Sequence, residues 1–168
     1  MIYRGSNVCD KWYTGVGSRR TPDDILILMT QIAHRLSEFD IGLRSGGALG
    51  ADRAFESGAK IANIFLAHDS TAEAEAVAAQ FHPVWNKLQP YFKQLHGRNS
   101  FQVLGHDLVS PSAYVICWTP DGAIFHAERT IKTGGTGTAI SIASAHGIPV
   151  FNLQRPDHRA RLEKFVRS

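Results

Sequence analysis

Between positions 21 and 39, Ile25, Leu28, Met29, Ile32, Ala33 and Leu36 recur at the three-and-four spacing of one helix face. The run is entered through Thr21-Pro22-Asp23-Asp24. That tetrad predicts Thr21 as N-cap, Pro22 at the first helical position and two acids in the first turn. Short apolar runs flank this helix. Residues 11–15 read as a strand entering the turn Gly15-Val16-Gly17-Ser18-Arg19-Arg20, and Ile41-Gly42-Leu43-Arg44-Ser45 as a second strand. The second strand breaks into Gly46-Gly47-Ala48-Leu49-Gly50; a helix is expected over 51–62 and a third strand at Ile64-Phe65-Leu66. From 71 to 95 the pattern is helical but interrupted by Pro83 and Pro90, which predicts two or three short helices. Residues 112–118 form the clearest buried strand, followed by the turn Pro120-Asp121-Gly122 and an irregular stretch over 123–132. Gly134-Gly135-Thr136-Gly137-Thr138 then leads into a helix from about 138 to 146 and a last strand over 149–153.

Strands alternating with helices predict an α/β protein: a Rossmann-like, three-layer α/β/α fold on a mostly parallel sheet. Its 168 residues, 43% of them hydrophobic, suit one domain over 1–168 with a sizeable core. No apolar run approaches the roughly 18 residues of a membrane span, and the first residues lack the apolar centre of a signal peptide, so no membrane partner is expected. Two cysteines, one inside the apolar run around Cys117, predict buried thiol chemistry and a reducing, cytoplasmic setting. The formal charge of +3 permits an anionic ligand without forming a dense basic stripe. The C-terminal cluster Arg155, His158, Arg159, Arg161, Lys164 and Arg167 reads as the solvated face of a helix. The eight histidines show no metal-ligand spacing, and neither a metal nor a cofactor is expected.

The candidate chemistry lies in three glycine loops, each following a strand and preceding a helix. Ligands of open parallel sheets bind beyond the carboxyl ends of the strands, where helix N-termini offer N–H groups and a positive dipole end to phosphate. Each loop taken alone is also compatible with a plain tight connection. Hydroxyls at Ser18, Ser45, Thr136 and Thr138 strengthen the phosphate reading. Neither the P-loop pattern nor the dinucleotide G-x-G-x-x-G fingerprint is present.

The three loops together resemble the SLOG superfamily, which joins DNA-processing protein A to the Lonely Guy phosphoribohydrolases. Thr14-Gly15-Val16-Gly17-Ser18-Arg19 is similar to the G-S-R element of the DNA-processing proteins, and Arg44-Ser45-Gly46-Gly47-Ala48-Leu49-Gly50-Ala51-Asp52 to their S-G-x-A-x-G-x-D loop. Thr133-Gly134-Gly135-Thr136-Gly137-Thr138-Ala139 resembles the Lonely Guy P-G-G-x-G-T motif, and Leu95-His96-Gly97-Arg98-Asn99 their M-x-x-R-K segment, with Asn99 in place of Lys. The likeness spans residues 13–153. It implies a nucleotide ligand and, on the hydrolase side, cleavage of the N-glycosidic bond of a nucleoside monophosphate or a relative. It also implies a homodimer, and admits single-stranded DNA as an alternative partner.

One position departs from that pattern. The catalytic Glu of the Lonely Guy motif falls on Ser141, which cannot stabilise an oxocarbenium-like centre or activate water as a carboxylate does. A hydrolase would then take its acid from Asp121 or Glu128, with Arg98 assisting; Asp52 is a further carboxylate near the loops. Each has a plainer role open to it: Asp52 bracing its own helix, Asp121 shaping a turn, Glu128 lying on the loop surface, Arg98 on the surface after a helix. The expected ligand-binding set is Gly15, Gly17, Ser18, Arg19, Ser45, Gly46, Gly47, Asp52, Trp118, Thr119, Gly134, Gly135, Thr136, Gly137 and Thr138. Without a working acid, the same loops predict a module that senses or sequesters a nucleotide.

Overall fold

The structure, a computed structural model, describes residues 1–4 and 9–168. The sheet contains β1 (Ile2–Arg4), β2 (Lys11–Gly15), β3 (Ile41–Ser45), β4 (Ala62–Ile64), β5 (Val115–Cys117) and β6 (Val150–Asn152). Their order is β1-β4-β3-β2-β5-β6. The five strands from β2 to β6 are parallel, and β1 adds an antiparallel edge beside β4. The chain therefore winds outward from β2 to β4, crosses back to β5, and winds outward again to β6. The reversal lies between β2 and β5, where open α/β sheets hold their ligands.

Among the described residues, six helices sandwich the sheet: α1 (Asp23–Ser37), α2 (Ala51–Gly58), α3 (Ala72–Ala79), α4 (Pro90–Leu104), α5 (Thr136–Ala145) and α6 (Pro156–Arg167). α1 packs on α2 and α6, and α4 on α3 and α5, which makes the expected three layers. The predicted stripe of α1 is buried throughout and meets Tyr13, Leu43, Phe55 and Ile116 in one half of the core. Val103, Leu104, Val115, Cys117, Ile140 and Ile142 fill the other half. Each such side chain contributes roughly 1.5–3 kcal/mol through burial.

Several boundaries differ from the expected ones, each for a local reason. Pro22, not Thr21, is the N-cap of α1; Thr21 Oγ1 donates instead to the Ser18 carbonyl at 2.6 Å and closes the first glycine loop. α2 ends at Gly58 rather than 62, because Ala62, Asn63 and Ile64 are drawn into register with Leu43, Arg44 and Ser45. The third strand consequently sits two residues earlier than its hydrophobicity suggests. The 71–95 stretch divides as its two prolines predict, into α3, a 3-10 turn at Trp85–Lys87 and α4, which Pro90 starts, but Gly97 does not end α4. Gly97 lies against Ser70 and Glu75 at the start of α3, so the helix runs on to Leu104. α5 begins at Thr136, two residues early. The 123–132 stretch carries two short 3-10 turns, His126–Glu128 and Ile131–Thr133. Among the described residues, no helix is long and apolar enough to cross a membrane.

Candidate functional site

The first two glycine loops interlock. An added Cβ at Gly17 would stand 2.7 Å from the Ala51 Cβ at the start of α2, and one at Gly50 3.0 Å from the Arg19 Cα. Ser18 N donates to the Trp118 carbonyl at 3.2 Å, which ties the first loop to the end of β5. Ser18 Oγ accepts from Arg20 N at 3.0 Å, and Arg19 between them is exposed. Ser45 Oγ donates to the buried Glu56 carboxylate at 2.8 Å, and Gly47 N donates to the same oxygen at 3.0 Å. Ser45 thus shapes the second loop through Glu56. Asp52 acts in parallel, accepting from Ala48 N at 3.2 Å.

α4 joins the second loop to the third. Arg98 lies within this helix, half-buried, and its Nη1 donates to the Gly46 carbonyl at 2.6 Å. The next residue, Asn99, donates from Nδ2 to the Gly135 carbonyl at 3.1 Å. Arg98 is therefore turned toward Gly46 and the second loop rather than toward the third. Gly46 has no room for a side chain: a Cβ there would lie 2.7 Å from Gln102 Nε2, 2.9 Å from Asp52 Oδ2 and 3.0 Å from Arg98 Cζ. Burial pushes the Asp52 carboxyl up to about 7, against the pull of Arg98 and of the Ala48 N–H. Gln102 is 1% exposed, and neither amide atom has a hydrogen-bond partner; Arg98 Nε is in the same position.

The third loop presents the N-terminus of α5. Gly135 is its N-cap, no side chain caps it, and no acid stands in its first turn. Nothing lies within 4 Å of a Cβ added at Gly134 or Gly135, so this face is open. Arg129 lies across Gly137, its Cζ 2.8 Å from the Cβ position there. Arg129 Nη1 donates to the Phe81 carbonyl and to Ser141 Oγ, both at 2.9 Å. Ser141 Oγ also meets His126 Nδ1 at 2.7 Å. Since the guanidinium can only donate, the serine oxygen accepts from Arg129. His96 Nδ1 pairs with Thr138 Oγ1 at 2.8 Å, and burial, with His82, Arg129 and Arg98 nearby, lowers that imidazole to about 4, so it is neutral at pH 7.

The two carboxylates expected to supply chemistry are engaged elsewhere. Asp121 accepts from Thr119 Oγ1 at 2.8 Å, from Thr130 Oγ1 at 2.7 Å and from Thr133 Oγ1. Burial pushes its pKa up, but the bonds from Thr133, Thr130, Thr119 and the Ala123 N–H outweigh burial and hold it at about 2. It clips the 119–133 segment shut. Glu128 accepts from Ile124 N at 2.8 Å and pairs with Arg155 at 2.7 Å on the surface. The bond from Ile124 N is the main reason its pKa is lowered. Trp118 is packed into the core, with its indole N–H donating to Gln154 Oε1 at 3.0 Å. Thr119 is fully buried and exchanges bonds with Asn152.

The structure thus brings Gly17, Arg19, Gly46, Gly47, Asp52 and Arg98 together, and links them through Asn99 to Gly135. Arg129, His96, Gln102 and Glu56 were missed by the sequence reasoning. Only Glu56 left a signal: it follows Asp52 by four residues on the face of α2 that carries Phe55. Among the described residues, no cluster of three or more His, Cys, Asp or Glu side chains could hold a metal ion. Comparison with family models, with curated proteins and with solved structures yields no match.

Proposed function

We propose that the protein binds a nucleotide, with a phosphate seated against the N-terminus of α5. One observation carries this reading. A helix N-terminus bears about half a positive charge, and here an arginine, Arg129, is held against it with no acid in the first turn; the nearby Asp121 carboxylate, which favours the Arg129 charge, is itself taken up by three threonine hydroxyls. Positive charge on a positive dipole end calls for an anion, and the open faces of Gly134 and Gly135 leave room for one. Thr136 adds a hydroxyl in the first turn, while Thr138 is fully buried with its hydroxyl against His96. The resemblance of the three loops to nucleotide-binding proteins supplies the rest of the ligand.

Retention without turnover fits the side chains best, because Asp121 and Glu128 are committed to loop contacts and Ser141 to Arg129 and His126. Hydrolysis of an N-glycosidic bond is the second reading, favoured by Asp52: a carboxyl held near pH 7 beside Arg98 and the second loop has the proton affinity of a general acid. A thermal-shift panel of nucleotides, followed by chromatography of each hit for released base, tests both. A shift without base release supports retention; base release supports hydrolysis; no shift with any mononucleotide removes the proposal.

A further inference from the structure

A cavity of about 470 Å3 opens between the second glycine loop and the upper half of α4. It is lined by Arg19, Arg98, Tyr91, Leu49, Leu66 and Leu95 among others, and no Asp or Glu lines it. Arg19 is exposed and close enough to Arg98 to disfavour its charge. The carboxylate that most favours the Arg98 charge, Asp52, is buried beside Gly46 and does not line the cavity, so the cavity itself presents two guanidiniums and no anion. Arg98 is not free to swing away, because Nη1 is bonded to Gly46, and its Nε is buried without a partner. Behind it lies the unpartnered amide of Gln102, pressed against Gly46. Tyr91 and three leucines share the remaining wall with His68 and Gln94, a mixed lining that suits an organic group with polar edges rather than a bare ion.

This cavity is separate from the end of α5, yet adjacent to it. Arg98 faces the cavity and Gly46, and Asn99, the next residue on the same helix, holds Gly135. The Arg98–Asn99 step of α4 is the link between the two places. Building on the nucleotide reading, we infer that the ligand carries a second phosphate and that this cavity, through Arg19 and Arg98, receives it. The ligand class is then a nucleotide with two anionic groups, not a nucleoside monophosphate alone. The second phosphate can be carried on the phosphate chain or on another ribose oxygen.

Calorimetric titration of the wild-type protein and of Arg19→Gln with AMP, ADP and adenosine 3′,5′-bisphosphate tests this. Arg19 is exposed, so the variant keeps the fold, which circular dichroism checks. In the wild type, at least one of the two doubly phosphorylated ligands binds about tenfold more tightly than AMP. In Arg19→Gln that ratio falls to about one. The identity of the tighter ligand tells which position bears the second phosphate. If AMP binds as well as both, or the ratio survives in the variant, the inference is overturned while the nucleotide reading stands. If none of the three binds, the same titration with the corresponding guanosine, cytidine and uridine ligands decides, and absence of binding by all of them overturns both.

Discussion

Arg129 Nη1 donates to Ser141 Oγ across 2.9 Å, and this bond holds a cation over the first turn of α5. A glutamate at position 141 would neutralise that arginine, whereas serine orients it and leaves its charge available. Replacing Arg129 with Gln should weaken nucleotide binding by about ten- to a hundredfold, the scale of a charge-assisted bond to phosphate. Ser141→Ala should cost less than about fivefold, because the Phe81 carbonyl still anchors the guanidinium. Calorimetry on the two variants measures the difference, and equal losses would mean that Arg129 acts only through packing.

Gly135→Asp places a carboxylate at the mouth of the same turn. The site has open space for the new side chain and an ordinary negative φ, so the melting temperature should change by no more than about 2 °C. Nucleotide affinity should fall by at least about a hundredfold through repulsion of the phosphate. Undiminished affinity in the folded variant would place the phosphate elsewhere.

Asp121 should matter for stability rather than for chemistry. Its folded pKa, near 2, lies below the unfolded carboxylate value, so its contribution is present above about pH 4 and is lost as the pH falls toward 2. The group is half-buried, and with solvent screening its contribution is on the order of 1 kcal/mol. Asp121→Asn should therefore lower the melting temperature at pH 7 by about 2–4 °C, with little difference from wild type near pH 2. Thermal melts across that range check it.

Asp52 carries the opposite sign. Its folded pKa, raised to about 7, means that the folded state holds a proton which the unfolded chain releases above about pH 4. Stability should fall as the pH rises from about 4 to 7 and then level off. Asp52→Asn, which keeps an acceptor for Ala48 N, should flatten that slope and be more stable than wild type relative to its own value at pH 4. Parallel pH profiles that coincide for the two proteins would rule out the raised pKa.

Gly58 sets the distance between α1 and α2. A Cβ there would overlap the Thr30 carbonyl oxygen and press on the Ala33 Cβ at 2.9 Å. Since the neighbour is backbone, the helices must separate, and Gly58→Ala should destabilise the protein by about 2–3 kcal/mol despite its better helix propensity. Chemical denaturation gives the value directly.

The chain of residues by itself determined the layered α/β architecture, the buried stripe of α1 and the places of the glycine loops. These depend on periodicity and on turn chemistry, which are local and survive in any window of a dozen residues. Strand and helix ends at 58–64 were not legible, because pairing of β4 with β3 overrode the local preference. The antiparallel edge strand β1 was likewise decided by its partner across the sheet. What side chains do at the site was decided almost wholly in three dimensions. Asp121 had the sequence surroundings of an exposed acid in a turn, yet three threonines, two of them nine and twelve residues on, fold back onto it. Arg129 lay in the least regular stretch and gained its place only through bonds to Phe81 and Ser141. Arg98 and Asn99 are neighbours in sequence, but a helix rotates successive side chains by about 100°, so one faces the second loop and the other the third.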